Sequence, residues 1–233
     1  MNWPKAILLL LIPFILFNNS CNSGLFDTRI SQGTIEFEVT YPDLDPDDML
    51  AGLMPDKMNM KFKDNVFNSE LSAGMGMFKT NFISNSNDYK LVNSVKLINK
   101  KYATELDKDG VKKANKKFEN VSIIKMEETK MIAGFNCKKA LVVFENIDAN
   151  DMYVYYTDEI KFEDPNWSTP FKDINGMLLE YTMEKFDIRM KFTATNVAKA
   201  ELEESDFTLP EDYEMIPHED LEKEINSIFE TFQ

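Results

Sequence analysis

"KMNMKFKDNVFNSEL" occupies residues 57–71. Met58, Met60 and Phe62 alternate with Lys57, Asn59, Lys61 and Lys63. A period of two sends successive side chains to opposite faces, so the run reads as a strand with one dry face and one wet face. Asp64 and Asn65 follow, two residue types that accept a tight turn. Val66–Leu71 is therefore expected to pair back as the second arm of a hairpin.

The same pattern extends outward in both directions. Upstream, "TIEFEVTY" places Ile35, Phe37, Val39 and Tyr41 on one face and Glu36, Glu38 and Thr40 on the other. Between the two strands lies a long acidic loop, "PDLDPDDMLAGLMPDK", with room for one helical turn at 48–53. Downstream, 74–84, 89–98 and 101–106 read as strands, and 107–115 as a polar, turn-rich loop. "VSIIKMEETKMIAGFNCKKALVVFEN" (121–146) is a further pair of strands around Gly134. Residues 149–160 make another, with Met152, Val154 and Tyr156 on one face. A loop carrying Trp167 follows, then a strand from Met177, and then one placing Ile188, Met190, Phe192 and Ala194 together. Only the tail has helical spacing: Leu221, Ile225, Ile228, Phe229 and Phe232 form one stripe after Pro217. About ten strands in succession predict a mainly β fold, an antiparallel meander with a C-terminal amphipathic helix.

The chain of 233 residues carries a formal net charge of -14 and is 43% hydrophobic. It can bury one sizeable core. Its acidity opposes nucleic-acid binding, which needs a basic surface to replace counterions, and opposes adhesion to anionic lipid through a basic patch.

The first 20 residues carry a single charge, Lys5, and Ala6–Phe17 is apolar. About 12 residues are too few to span a bilayer, which takes about 20. Residues 1–20 therefore read as an export signal peptide. Ser20 then precedes Cys21, an ending that resembles the lipobox of bacterial lipoproteins, although Asn18 stands where that motif carries an aliphatic residue. The resemblance implies acyl chains (palmitate among them) on Cys21, and several chains on one residue hold a protein stably to a membrane. Cleavage without lipidation and an uncleaved anchor stay open alternatives. Residues 21–32 are then a lipidated tether, 33–216 an antiparallel β domain, and 217–233 a helix packed on it.

Nothing in the sequence assembles a catalytic constellation. His218 is the single histidine, which leaves no His/Cys cluster for a metal and makes it the one imidazole on which a Ser–His or Cys–His pair could be built. No Gly-x-Ser-x-Gly run occurs, and Ser122–Lys125 matches Ser-x-x-Lys only inside a strand-like run. The aspartates at 43, 45, 47 and 48 lack the Gly and Glu that a calcium loop requires. No enzyme activity and no cofactor are expected. Cys137 is expected to be a lone buried thiol. The 14 Met and 18 Phe are unusual, and several share strand faces. Methionine suits irregular apolar cavities. Met58, Met60, Phe62, Met75, Met77, Met190 and Phe192 are the residues expected to line one.

"KMIAGFNCKKALV" (130–142), "YYTDEI" (155–160), "PFKDINGMLLEY" (170–181) and "LPEDY" (209–213) resemble exported Bacteroidetes proteins of the GLPGLI type. They resemble still more a related domain family frequent in lipoproteins. That resemblance implies a single strongly curved antiparallel sheet, a half-barrel like that of the LolA/LolB lipoprotein carriers, with the terminal helix on its concave side. It implies no catalytic residues. The expected protein is a periplasmic lipoprotein anchored by Cys21, facing the periplasm from the outer membrane and binding a lipid or lipoprotein acyl chain. A solidly packed envelope structural or protein-interaction module is the other reading. Oligomeric state has no signature in the sequence. Radiolabelled palmitate tests the anchor: it should label the wild type and not Cys21→Ser, and equal label on both would refute lipidation of Cys21.

Overall fold

The computed structural model describes residues 29–45, 47, 51–52, 54–145, 152–185 and 188–230. Cys21, the signal segment and most of the expected helical turn at 48–53 lie outside these.

Twelve strands form one curved sheet. They are β1 (Gln32–Thr40), β2 (Lys57–Lys63), β3 (Val66–Ala73), β4 (Phe78–Asn85), β5 (Lys90–Leu97), β6 (Lys100–Leu106), β7 (Val121–Ile132), β8 (Phe135–Phe144), β9 (Met152–Thr157), β10 (Met177–Lys185), β11 (Ile188–Lys199) and β12 (Glu214–Met215). The spatial order is β12-β6-β5-β4-β3-β2-β1-β11-β10-β9-β8-β7. The chain therefore starts at the middle of the sheet, meanders to one edge, crosses to the opposite edge, and meanders back to the middle. Ten of the pairings are antiparallel, and β12 lies parallel to β6.

The turns follow local chemistry. Asp64 and Asn65 both take positive φ, 49° and 64°, as the tight β2–β3 hairpin requires. Ala133 and Gly134, at 47° and 87°, close β7 onto β8 in the same way. Bulges at Glu36/Phe37, Lys125/Thr129 and Leu178/Glu180 each break the ladder register. A bulge bends and twists the strand that carries it, so three of them bend the half of the sheet from β1 to β7.

Four expectations change. A simple meander becomes two meanders joined at β1 and β11. The strand expected at 74–84 starts only at Phe78, because Gly74–Gly76 forms a 3-10 turn with Gly74 and Gly76 at positive φ. The strand expected at 149–160 is described at Met152–Thr157. The loop expected at 107–115 contains helix α1, Lys108–Ala114. Asp107 caps it by accepting from the Gly110 N–H at 2.8 Å, and Val111 is its buried residue. A helix of two turns with one buried side chain leaves no 3.6-residue stripe to read.

The terminal helix α2, His218–Glu230, lies on the concave side, with Leu221 buried against Val95. Ile225 joins that contact. The side chains of 228 and 229, and residue 232, lie outside the description. On the convex side, the segment after β11 straps across β2 and β3. Lys61 pairs with Asp206 at 2.6 Å, Lys63 donates to the Leu202 carbonyl, and Asn68 donates to the Asp206 carbonyl.

The main core sits between the concave face and the β9–β10 connection. Phe37 is 1% exposed and meets Tyr181 edge-on, with ring centroids 6.1 Å apart. Phe171 of the connection meets the same tyrosine at 6.2 Å. Phe37→Ala should lower unfolding free energy by about 3–5 kcal/mol, read from urea denaturation.

Candidate functional site: the concave face

Strand register arranges the concave side of β1–β6 as rows of side chains that run across the strands. Phe62, Phe67, Ser84, Leu91 and Leu106 make one row, nearest the end where β1 begins. Ile35, Met60, Ser69, Phe82, Asn93 and Thr104 make the next. Phe37, Met58, Leu71, Thr80, Val95 and Tyr102 make the third. The outer rows are apolar apart from Ser84 and Thr80, while the middle row carries three polar residues.

Different elements cover the outer rows. The β9–β10 connection lies over the first: Phe162 packs on Phe67 at 6.1 Å, and the Ser168 and Ser84 hydroxyls are 3.4 Å apart. This connection is irregular in backbone, buries Phe171 and Ile174 in the main core, and adds a few polar contacts. Buried Asn166 donates to the carbonyls of Ile174 and Gly176, Asn115 donates to the Ser168 carbonyl, and Ser86 donates to that of Glu163. Trp167 stands edge-on to Tyr89 at 5.4 Å. Helix α2 covers the third row through Leu221.

The sequence-derived lining residues separate into groups. Met58, Met60, Phe62 and Phe192 are buried in one cluster on the concave side, and Met190 packs against it. Met77 is 55% exposed beside the β3–β4 turn and so stands apart from them. Of the Met75 side chain nothing is described. The sequence reading passed over the β9–β10 cover and the polar row. One signal for the row was available: in "KLVNSVKL" an asparagine occupies an inward slot between Leu91 and Val95.

Titratable groups cluster on the opposite, convex face of the C-terminal half. Glu180, 8% exposed, meets Lys130 at 2.8 Å and Lys191 at 3.5 Å. Lys130 also lies 5.1 Å from the Tyr155 ring centroid. Lys139 pairs with Glu128 at 2.9 Å, and that bond holds the Glu128 carboxyl below its ordinary range. Every charge in this network has an opposite partner, so it is a clasp across β7–β11. A shallow surface pocket of about 270 Å³ lies elsewhere, where Arg29–Gln32 meets Lys199–Glu201.

Cys137 is free and fully buried, opposite Lys130. Its thiol donates to the Phe135 carbonyl at 3.7 Å. Burial, then the Glu159 carboxylate, pushes it up from 9.0 to about 11. Such a thiol is a poor nucleophile.

No family model matches the sequence, and no curated protein does. Among solved structures, the crystal structure of LprF from Mycobacterium bovis is similar over 82% of this chain and 93% of that chain, at 12% identity and a TM-score of 0.29.

The thiol gives a signed pH dependence. The folded state favours its neutral form, so this contribution to stability is intact below about pH 9 and is lost as pH rises towards 11. Tyr41 and Tyr181 are also raised by burial and add a loss at higher pH. The urea midpoint of the wild type should therefore fall more steeply between pH 8.5 and 10.5 than that of Cys137→Ala. Equal slopes would show that the thiol ionises normally.

Proposed function

We propose that the chain is an exported lipoprotein, held at a membrane by Cys21, whose concave face binds the acyl chain of a lipid without catalysing a reaction on it. The carrying observation is how that face is covered. Among the described residues its apolar rows lie under the irregular connection and helix α2, with no second sheet opposite. This cover is joined to the face by side-chain packing and a few hydrogen bonds, without a strand ladder, and local openings of such elements are how buried binding faces are reached. Met58 and Met60, buried beside Phe62, supply adaptable apolar surface once it opens. Residues 22–28 join the anchor to the sheet, so the open face would operate near a bilayer. An outer-membrane position facing the periplasm fits this reading, since the residues after Cys21, "NSGLFDTR", contain no acidic run.

Native mass spectrometry of protein purified from membranes tests the proposal. Adducts of lipid mass beyond the covalent acyl chains are expected, together with saturable binding of a fluorescent fatty-acyl probe. Absence of both would sink the lipid-binding reading and leave the interaction-module reading in its place.

A further inference from the structure

We propose that the middle row of the concave face is a polar subsite for the uncharged, hydrogen-bonding head of a lipid, of the monoacylglycerol kind. The inference rests on the lipid-binding reading above and adds the chemistry of the head group.

Asn93 is the central residue. It is 7% exposed, and its Oδ1 has no hydrogen-bond partner among the described residues. A buried amide left in that state carries its full desolvation cost, so natural cores pair such groups with protein, water or ligand. Thr104 lies directly opposite on β6, and Ser69 lies two strands away on β3 with Phe82 between them. Both hydroxyl residues are buried as well. Polar groups thus recur along one line, in inward slots where the flanking rows are largely apolar.

Position along the face points the same way. Val95 and Leu221 form a hydrophobic cluster separate from the main one, and Asn93 lies one inward slot from Val95. At β5 the row therefore meets the seam between the two covers. On the cover itself, Trp167 Nε1 is also buried with no hydrogen-bond partner among the described residues. An entering acyl chain would lie on Met60 and its apolar neighbours and bring its head to this seam.

Charge decides the class of head. None of the three rows contains a charged side chain. A carboxylate or phosphate placed there would lose its hydration with no counter-charge to replace it. An amide and two hydroxyls offer both donors and acceptors, which matches a glycerol hydroxyl or an ester carbonyl.

The test titrates tritiated monolaurin and tritiated laurate against the full-length protein at pH 8, where laurate is ionised. Monolaurin should bind about tenfold more tightly, the equivalent of one well-placed hydrogen bond. Asn93→Leu should bring that ratio to about one and raise the melting temperature, since an unpaired amide becomes an apolar side chain of similar size. Thr104→Val should lower the ratio part of the way, and it carries the test if Asn93→Leu does not fold. Laurate binding as tightly as monolaurin in the wild type would overturn the subsite and leave lipid binding standing. A ratio unmoved in both variants would do the same, marking the row as a site for buried water only. Failure of both ligands to bind the wild type would overturn the lipid-binding reading and the subsite with it.

Discussion

The pairing of β1 with β11 holds the molecule together. Each strand ends a meander that could have stayed a separate sheet. Their ladder, from Gly33 opposite Lys199 to Thr40 opposite Lys191, makes one sheet of both. The approach is close enough that a Cβ on Gly33 would sit 2.2 Å from the Ala198 carbonyl oxygen, so glycine is required there. Phe37 and Val39 come from one meander and Phe192 and Ala194 from the other, and all four enter one buried cluster. The ladder joins residues about 160 positions apart, so the loop-closure entropy it carries must be offset by that burial.

A sheet whose chain begins in its middle has two consequences. The first is that the two meanders reach their outer strands, β6 and β7, in mid-chain. The β6 edge is met by β12, where the chain returns after strapping the convex side, and Met215 of β12 pairs with Ala103. The same return delivers α2 to the concave side. The second is that the crossover from β6 to β7 and the β9–β10 connection enter the concave side from different directions. Phe118 of the crossover packs on Phe144 at 5.6 Å, and Asn115 ties the crossover to Ser168 of the connection. The cover is therefore assembled from three pieces distant in sequence.

The two faces divide the chemistry. On β2 the charges point to the convex side, where an exposed pair such as Lys61–Asp206 costs little desolvation and contributes modestly. The Glu180 network differs, because one carboxylate is buried and shared by two lysines. Removing it would leave two ammonium groups facing each other across the bulged half of the sheet. The three rows of the concave face present apolar area and a few uncharged polar groups, and charge stands beyond them where Lys100 meets Glu224 of α2.

Much of this was legible in the sequence for local reasons. Alternation at Ile35–Tyr41, Met58–Phe62 and Ile188–Ala194 reports which face of each strand is dry, because side-chain direction depends only on position along an extended chain. Asp64–Asn65 and Gly134 report turns through their own backbone preferences, while Ala133 is carried to positive φ by the hairpin it closes. The 3.6-residue spacing of Leu221 and Ile225 reports the terminal helix. What the tertiary structure decided is everything that depends on partners. Which strand lies beside β1 is set by a ladder across the whole chain. Whether Met77 faces the interior with Met58 or stands in solvent depends on a turn one residue away, Gly74–Gly76, with two glycines at positive φ. That Ser69, Asn93 and Thr104 share a row depends on the register of four strands, each fixed by its own hairpin. Single residues carry the pattern of a strand, but a surface arises only when several strands agree on register, and that agreement is a property of the folded chain.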